Sequence, residues 1–153
     1  MEQIEKNIIQ LKKEVLDSEQ KYNRKNNSVI LLAVSKTHNI EKIKTAYFAG
    51  QRDFGENYVQ ESVEKISKLK ELNIIWHFIG SIQSNKAKLI ADNFDWVHSI
   101  DKLKTLQKIN SFRKKSGKSL NVCIQVNCDG EETKSGISLL ELEDFFKKTK
   151  SLN

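Results

Sequence analysis

Lys36 is the residue whose type and position most favour covalent chemistry. It follows a six-residue apolar run, VILLAV at 29–34, after one serine, and none of the other 22 lysines continues such a run. Because side chains alternate along a strand, Lys36 is expected to share a side with Leu32 and Val34 and to be poorly hydrated. Poor hydration favours the neutral amine, which attacks an aldehyde to form an imine. The alternative interpretation is a lysine that extends from the rim of the sheet into solvent.

Polar side chains also accompany the other apolar runs of the sequence. Asn57, Ser81 and Asn127 follow the second, third and fifth runs, and His77 lies between two aromatic residues inside the third. In parallel α/β folds the carboxyl ends of the strands converge on the functional site, although loops are polar in any case. A histidine between aromatic residues is more typical of a core side chain with a satisfied nitrogen than of a base or ligand.

A metal site is not indicated by the candidate ligands. The three histidines, His38, His77 and His98, have no spacing typical of metal ligands, and Cys123 and Cys128 match no zinc pattern. Two cysteines are also too few for a disulfide framework, so we expect no metal and a reducing, cytoplasmic setting.

The elements that position these residues alternate between short apolar runs and amphipathic helices. The pattern predicts an N-terminal helix near 3–22, and Ser138 and Glu141 have the spacing of a capping box before the last helix. Five strand-then-helix units imply a parallel α/β sheet. Periodicity alone fits both an open doubly wound sheet and part of a (β/α)8 barrel, whose complete form takes about 250 residues. The strands are predicted at 29–34, 52–55, 74–79, 94–98 and 122–126.

Composition narrows the class of protein further. The net charge of +6 does not indicate nucleic-acid binding, because the 26 basic residues are nearly all lysines interleaved with glutamates. No apolar run approaches the roughly 18 residues that span a bilayer, and the N-terminus has no apolar signal core. We expect one cytoplasmic domain over residues 1–153, with a single core.

Seven short motifs, in order along the chain, resemble those of the pyridoxal phosphate homeostasis family (YggS/PROSC type), whose fold is similar to the barrel domain of alanine racemase. Together they run from residue 33 to residue 136 and make the resemblance specific. The motifs are AVSKT (33–37), FGENYVQE (54–61), WHFIG (76–80), QSNK (83–86), VHSID (97–101), IQVN (124–127) and KSG (134–136).

The resemblance implies a partial TIM-type (β/α)8 barrel that holds pyridoxal 5'-phosphate as a Schiff base on Lys36. It also implies that Asn57, His77 and neighbouring strand-end residues, Ser81 and Asn127 among them, line the same pocket. The family handles vitamin B6 and amino- and keto-acid balance without an established reaction, so no catalytic residue is expected. The alternatives are a pyridoxal phosphate-dependent racemase-like enzyme and a truncated remnant that binds nothing.

The sequence departs from the family in length. Family members continue through strands six to eight, which hold the backbone-rich loops that resemble the phosphate cradle of barrels. This departure implies an open arc with exposed edges on the first and fifth strands, and weak binding of the phosphate group. We expect a monomer, or weak self-association through those edges.

Overall fold

The computed structural model describes residues 2–117, 119–150 and 152 of the chain. Met1, Lys118, Ser151 and Asn153 lie outside the described residues, so both ends of the expected domain, 1–153, do as well.

Six helices and five strands alternate along the described part of the chain. A 3-10 turn, Ser84–Lys86, directly precedes the fourth helix. The elements are α1 (Glu2–Lys21), β1 (Ala33–Val34), α2 (Ile40–Phe48), β2 (Asp53–Glu56), α3 (Val59–Lys68), β3 (Ile75–Phe78), α4 (Ala87–Asn93), β4 (Trp96–Ile100), α5 (Leu103–Ser116), β5 (Asn121–Ile124) and α6 (Leu142–Thr149).

The five strands form one parallel sheet in the order β1-β2-β3-β4-β5. Each strand pairs with the next one along the chain, so the order never reverses. A doubly wound sheet reverses its strand order at the point where ligands bind, whereas a barrel adds each strand beside the last. The sheet is therefore an arc of the barrel type, which confirms the predicted α/β class and its five βα units.

One face of the sheet carries the apolar core. Phe54, Phe78 and Val97 point to this face and are buried together with Ile43 of α2 and Ile90 of α4. We call it the helix face, and the opposite face, where the register aligns Gly55, His77 and Trp96, the inner face. Because residues alternate between the faces, core side chains and candidate site side chains interleave along the same strands.

The first strand is shorter than the sequence predicts. Only Ala33 and Val34 pair with β2, and the predicted strand residues 29–32 lie outside the ladder. Two side chains from elsewhere bind the backbone of this segment instead: Gln51 Nε2 donates to the Leu31 carbonyl at 2.6 Å, and Glu19 Oε1 accepts from the Val29 N–H at 2.7 Å. An apolar run predicts burial, but an edge segment whose backbone is bound by side chains does not need to pair as a strand.

The predicted capping box and edges are confirmed. Ser138 Oγ donates to Glu141 Oε2 at 2.7 Å, and the Glu141 N–H donates to Ser138 Oγ at 3.3 Å, just before α6. These hydrogen bonds from Ser138 lower the pKa of Glu141. The terminal strands of the sheet are β1 and β5, as an open arc requires. Among the described residues, no helix has both the length and the apolar character needed to cross a membrane.

The loops after β2 and β3 touch through their backbones at Gly80. A Cβ atom at this position would overlap the carbonyl oxygen of Asn57 and lie 2.8 Å from its Cα. Glycine is therefore required here by the close approach of two chain segments. Because Asn57 and Ser81 flank this contact, it also sets how the two loops lie relative to each other.

We expect Gly80→Ala to lower the free energy of unfolding by about 1–3 kcal/mol, as overpacked substitutions do, because backbone cannot move aside. Urea denaturation followed by circular dichroism measures the change. Gly55→Ala is the matched control: its Cβ would meet Ile79 Cδ1 at 3.1 Å, the end of a flexible side chain that can shift. A loss at Gly80 no larger than at Gly55 would contradict the assignment.

Candidate functional site

Lys36 lies in a tight turn directly after β1. The His38 N–H donates to the Ser35 carbonyl at 3.0 Å, so Lys36 and Thr37 are the two central residues of a β-turn. Thr37 has φ 64, the left-handed value that type II turns require at this position. A β-branched residue rarely adopts that conformation, which costs about 1–2 kcal/mol. The turn that carries Lys36 is therefore strained and must be held by other contacts.

The predicted desolvation of Lys36 is wrong. The side chain is exposed, and no described residue forms a hydrogen bond or an ion pair with its amine. Lys36 lies beyond the end of β1, so strand alternation does not place it against an apolar wall. Val34, the residue expected beneath it, is itself 48% exposed at the open edge of the sheet. The amine is consequently accessible to a solute from solvent.

The contacts that hold the turn come from α3. Lys65 Nζ donates to the Ser35 carbonyl at 2.8 Å, and the Thr37 N–H donates to Glu61 Oε1 at 2.8 Å. Lys65 and Glu61 also form an ion pair of 2.5 Å one helical turn apart. The peptide groups on both sides of Lys36 are thus bound by one pair of charged side chains.

A second carboxylate completes this buried charge cluster. Glu56 at the end of β2 is fully buried, and its Oε1 accepts from Lys65 Nζ at 2.8 Å and from Ser35 Oγ at 2.6 Å. The hydrogen bond from Lys65, together with the Thr37 N–H, lowers the pKa of Glu61 although partial burial opposes this change. The ammonium of Lys65 thus binds three oxygens away from water, while Glu56 Oε2 is buried without a hydrogen-bond partner among the described residues.

A polar cluster on the inner face joins His77 to two further side chains. His77 is 3% exposed, and its Nε2 lies 3.0 Å from Asp53 Oδ1 while its Nδ1 lies 2.9 Å from His98 Nε2. A carboxylate only accepts, so with both rings neutral His77 donates to Asp53 and accepts from His98. Trp96 stacks on the His77 ring at 5.6 Å with an interplanar angle of 5°. Both nitrogens of His77 are therefore bound by protein groups.

His98 contacts this cluster from the inner face of β4, two residues after Trp96. The pairing with β5 shifts between Val97 and Ile100, which both remain buried on the helix face. The two residues between them, His98 and Ser99, are left half-buried, and His98 contacts His77. Burial, and secondarily the charge of His77, lowers the pKa of His98. This cluster can orient protons along Asp53, His77 and His98.

Asn57 and Ser81 line one cavity between the loops after β2 and β3. The cavity has a volume of about 420 Å³, and Gly80 and Lys86 are also part of its lining. Asn57 Oδ1 is buried without a hydrogen-bond partner among the described residues. An amide oxygen in this state favours a ligand that can donate a hydrogen bond. Lys36 does not line this cavity.

Asn127 organises its own loop after β5. Its Nδ2 donates to the Glu131 carbonyl at 2.9 Å, and its Oδ1 accepts from the Glu131 N–H at 3.2 Å. The backbone of Gly136 packs against this residue so closely that a Cβ would lie 2.7 Å from the Asn127 nitrogen. The amide is therefore engaged within the loop, and a contact between Asn127 and a cofactor stays a prediction.

The sequence-predicted residues lie at four separate places in the described structure. Lys36 lies in its turn, His77 in the inner-face cluster, Asn57 with Ser81 in the cavity, and Asn127 in the loop after β5. Sequence reasoning missed Glu61 and Lys65, because charges four residues apart on a helix usually indicate a solvated face. In the described part of the chain, no group of three or more histidine, cysteine, aspartate and glutamate side chains could hold a metal ion.

We expect the free energy of unfolding to decrease as the pH falls from about 8 to about 5, partly through His98. Because the pKa of His98 is lowered in the folded state, its contribution is present above the ordinary value of 6.5 and is lost as the pH falls through the lowered value. His98→Asn should show a smaller decrease in urea unfolding across this range. Equal slopes for His98→Asn and wild type would refute the prediction.

Comparison with known proteins places the chain in a family. Residues 3–153 match the family model for the alanine racemase N-terminal domain. The pyridoxal phosphate homeostasis protein of Vibrio alginolyticus is 49% identical over 146 residues, which cover 93% of this chain and 63% of that protein. The chain thus spans just under two thirds of the length of this relative.

Solved structures agree with the sheet described above. PipY from Synechococcus elongatus, solved without and with pyridoxal phosphate, matches with TM-scores of 0.78 and 0.76 at 36% and 34% identity; each match covers 88% of this chain and 63% or 62% of PipY. Alanine racemase from Clostridium difficile matches with a TM-score of 0.67 over 96% of this chain and 37% of that chain, and at 15% identity this shows the fold alone. The five-stranded arc is accordingly part of a (β/α)8 barrel, and the chain belongs to the alanine racemase N-terminal domain family.

Proposed function

We propose that the chain binds pyridoxal phosphate reversibly through Lys36 and serves cofactor homeostasis without catalysing a reaction. The observation that carries this proposal is the exposed amine of Lys36, which no described residue engages, in a strained turn held on both sides. Support also comes from the name of the Vibrio relative and from PipY with pyridoxal phosphate bound.

The residues predicted for the pocket provide polar groups for such a ligand. When bound, the cofactor supplies an aldehyde and an electron-withdrawing pyridine ring. Lys36 would hold the cofactor through a C=N bond to that aldehyde carbon, with the carbonyl oxygen lost as water together with two protons of the amine. Asn57, whose buried Oδ1 lacks a partner among the described residues, and Ser81 are proposed to line the pocket. His77 and Asn127 are proposed to support it from the inner face and from the loop after β5.

The arrangement of the described proton-transfer groups supports the proposed role in capture rather than catalysis. Racemisation needs a positioned acid and base on opposite faces of the substrate carbon. His77 uses both ring nitrogens on Asp53 and His98, and no described acid or base contacts the Lys36 amine. An exposed imine forms and hydrolyses readily, which suits a protein that takes up and releases the cofactor.

We expect the protein mixed with pyridoxal phosphate to show an absorbance band at about 420 nm, which is typical of a protonated imine. Lys36→Ala should lose the band, because the attacking amine is gone. Lys42→Ala is the matched control, since Lys42 is exposed six residues away and should keep it. Borohydride reduction followed by peptide mass spectrometry should locate the modification on Lys36. A band of unchanged size in Lys36→Ala would refute the assignment, and no band in wild type would favour a chain that binds nothing.

We expect the loaded protein to leave the α-hydrogen of L-alanine in place. Incubation in heavy water, followed by proton NMR, should show exchange no faster than with the free cofactor at equal concentration. Exchange clearly above that rate, and dependent on Lys36, would support the racemase-like alternative instead.

A further inference from the structure

One charged pair binds both peptide groups that flank Lys36. Lys65 Nζ lies 2.8 Å from the carbonyl oxygen of Ser35, and Glu61 Oε1 lies 2.8 Å from the amide nitrogen of Thr37. Both side chains come from α3, and their own ion pair of 2.5 Å keeps them together. Since a peptide group is planar, fixing these two groups fixes the direction of the Cα–Cβ bond of Lys36.

The turn would not hold this geometry by itself. Thr37 has φ 64, a value that favours glycine or asparagine and disfavours a β-branched residue. Strained backbone of this kind persists only where surrounding contacts determine it, and it clusters at functional sites. The Glu61 carboxylate binds the N–H of the strained residue itself.

A purely structural role would involve the two charged residues differently. Lys65 also binds the buried Glu56, so it attaches α3 to β2 as well as to the turn. Glu61 is 33% exposed, and its described contacts are Lys65 and the Thr37 N–H. A role in packing the sheet is therefore available to Lys65 but not to Glu61, which makes Glu61 the more informative residue.

We propose that Glu61 and Lys65 are positioning residues for Lys36, which hold its turn so that the amine meets an aldehyde ligand in one backbone geometry. The inference rests on the proposed function, because it assigns these residues to imine formation at Lys36. The Lys36 side chain remains free to change rotamer. Its backbone, however, is already ordered before the ligand binds, so binding does not have to offset the entropy cost of ordering it.

Three variants of α3 test the carboxylate. Glu61→Ala removes the acceptor of the Thr37 N–H and should weaken imine formation about tenfold, the factor that matches releasing one backbone residue. Glu61→Gln keeps an oxygen acceptor and should restore most of the affinity. Glu64→Ala, at an exposed position of the same helix, should bind like wild type. The dissociation constant is measured from the imine band, and melting without cofactor reports folding.

A second arm tests the ammonium without leaving a buried charge. Lys65→Met alone would strand the buried Glu56 carboxylate, so it is combined with Glu56→Gln, which still accepts from Ser35 Oγ. The double variant should fold cooperatively and form the imine about tenfold more weakly, because the Ser35 carbonyl loses its ammonium partner. Lys68→Met, exposed on the same helix, is the control and should not change the affinity.

The outcomes separate the inference from the proposed function. If wild type forms no imine, both fail. If wild type forms it on Lys36, and Glu61→Ala and the double variant both fold and bind within twofold of wild type, only the inference is overturned. Weaker binding in Glu61→Ala with recovery in Glu61→Gln supports positioning. The two variants differ in whether an oxygen acceptor is available to the Thr37 N–H, so recovery of the dissociation constant reports that hydrogen bond.

Discussion

The buried ammonium of Lys65 is the interaction on which the site depends. It is shared among the Ser35 carbonyl, Glu56 and Glu61, so it connects the turn after β1, the end of β2 and the first turns of α3. Charges in such a cluster are mutually dependent, because removing one leaves another without compensation away from water. The position of Lys36 in space thus follows from a helix that lies well after it in the chain.

The two faces of the sheet carry different kinds of side chain, although both are built from alternating residues of the same strands. On the helix face, Phe54 and Phe78 contribute to a continuous apolar core. On the inner face, Gly55 leaves room while His77 and Trp96 stack beside it, and Asp53 and His98 bind both nitrogens of the imidazole. Parallel register aligns these residues across three strands, so the polar cluster is a direct product of the pairing.

Much of the fold could be predicted from the sequence, because short runs of apolar residues mark the segments that are buried as strands. The runs near 52–55, 74–79, 94–98 and 122–126 each contain or overlap the observed β2 to β5. The run at 29–34 contains β1 only at its end, because apolar character does not reveal that Gln51 and Glu19 bind the backbone of its first residues. Lys36 was identified by type and position, but its exposure depends on the turn and the open edge. The pairing of His77 with His98 depends on the register between β3 and β4, which the sequence of either strand alone does not give.

The contacts of Gly80 join the loops after β2 and β3 to the end of β4. Its backbone presses on Asn57 after β2, and its carbonyl oxygen accepts a hydrogen bond from Ser99 Oγ at the end of β4. Displacement of either loop is therefore expected to displace the other loop and the end of β4. Because Asn57 lies between Glu56 and α3, which both contact the turn of Lys36, such a displacement is expected to reach the lysine as well.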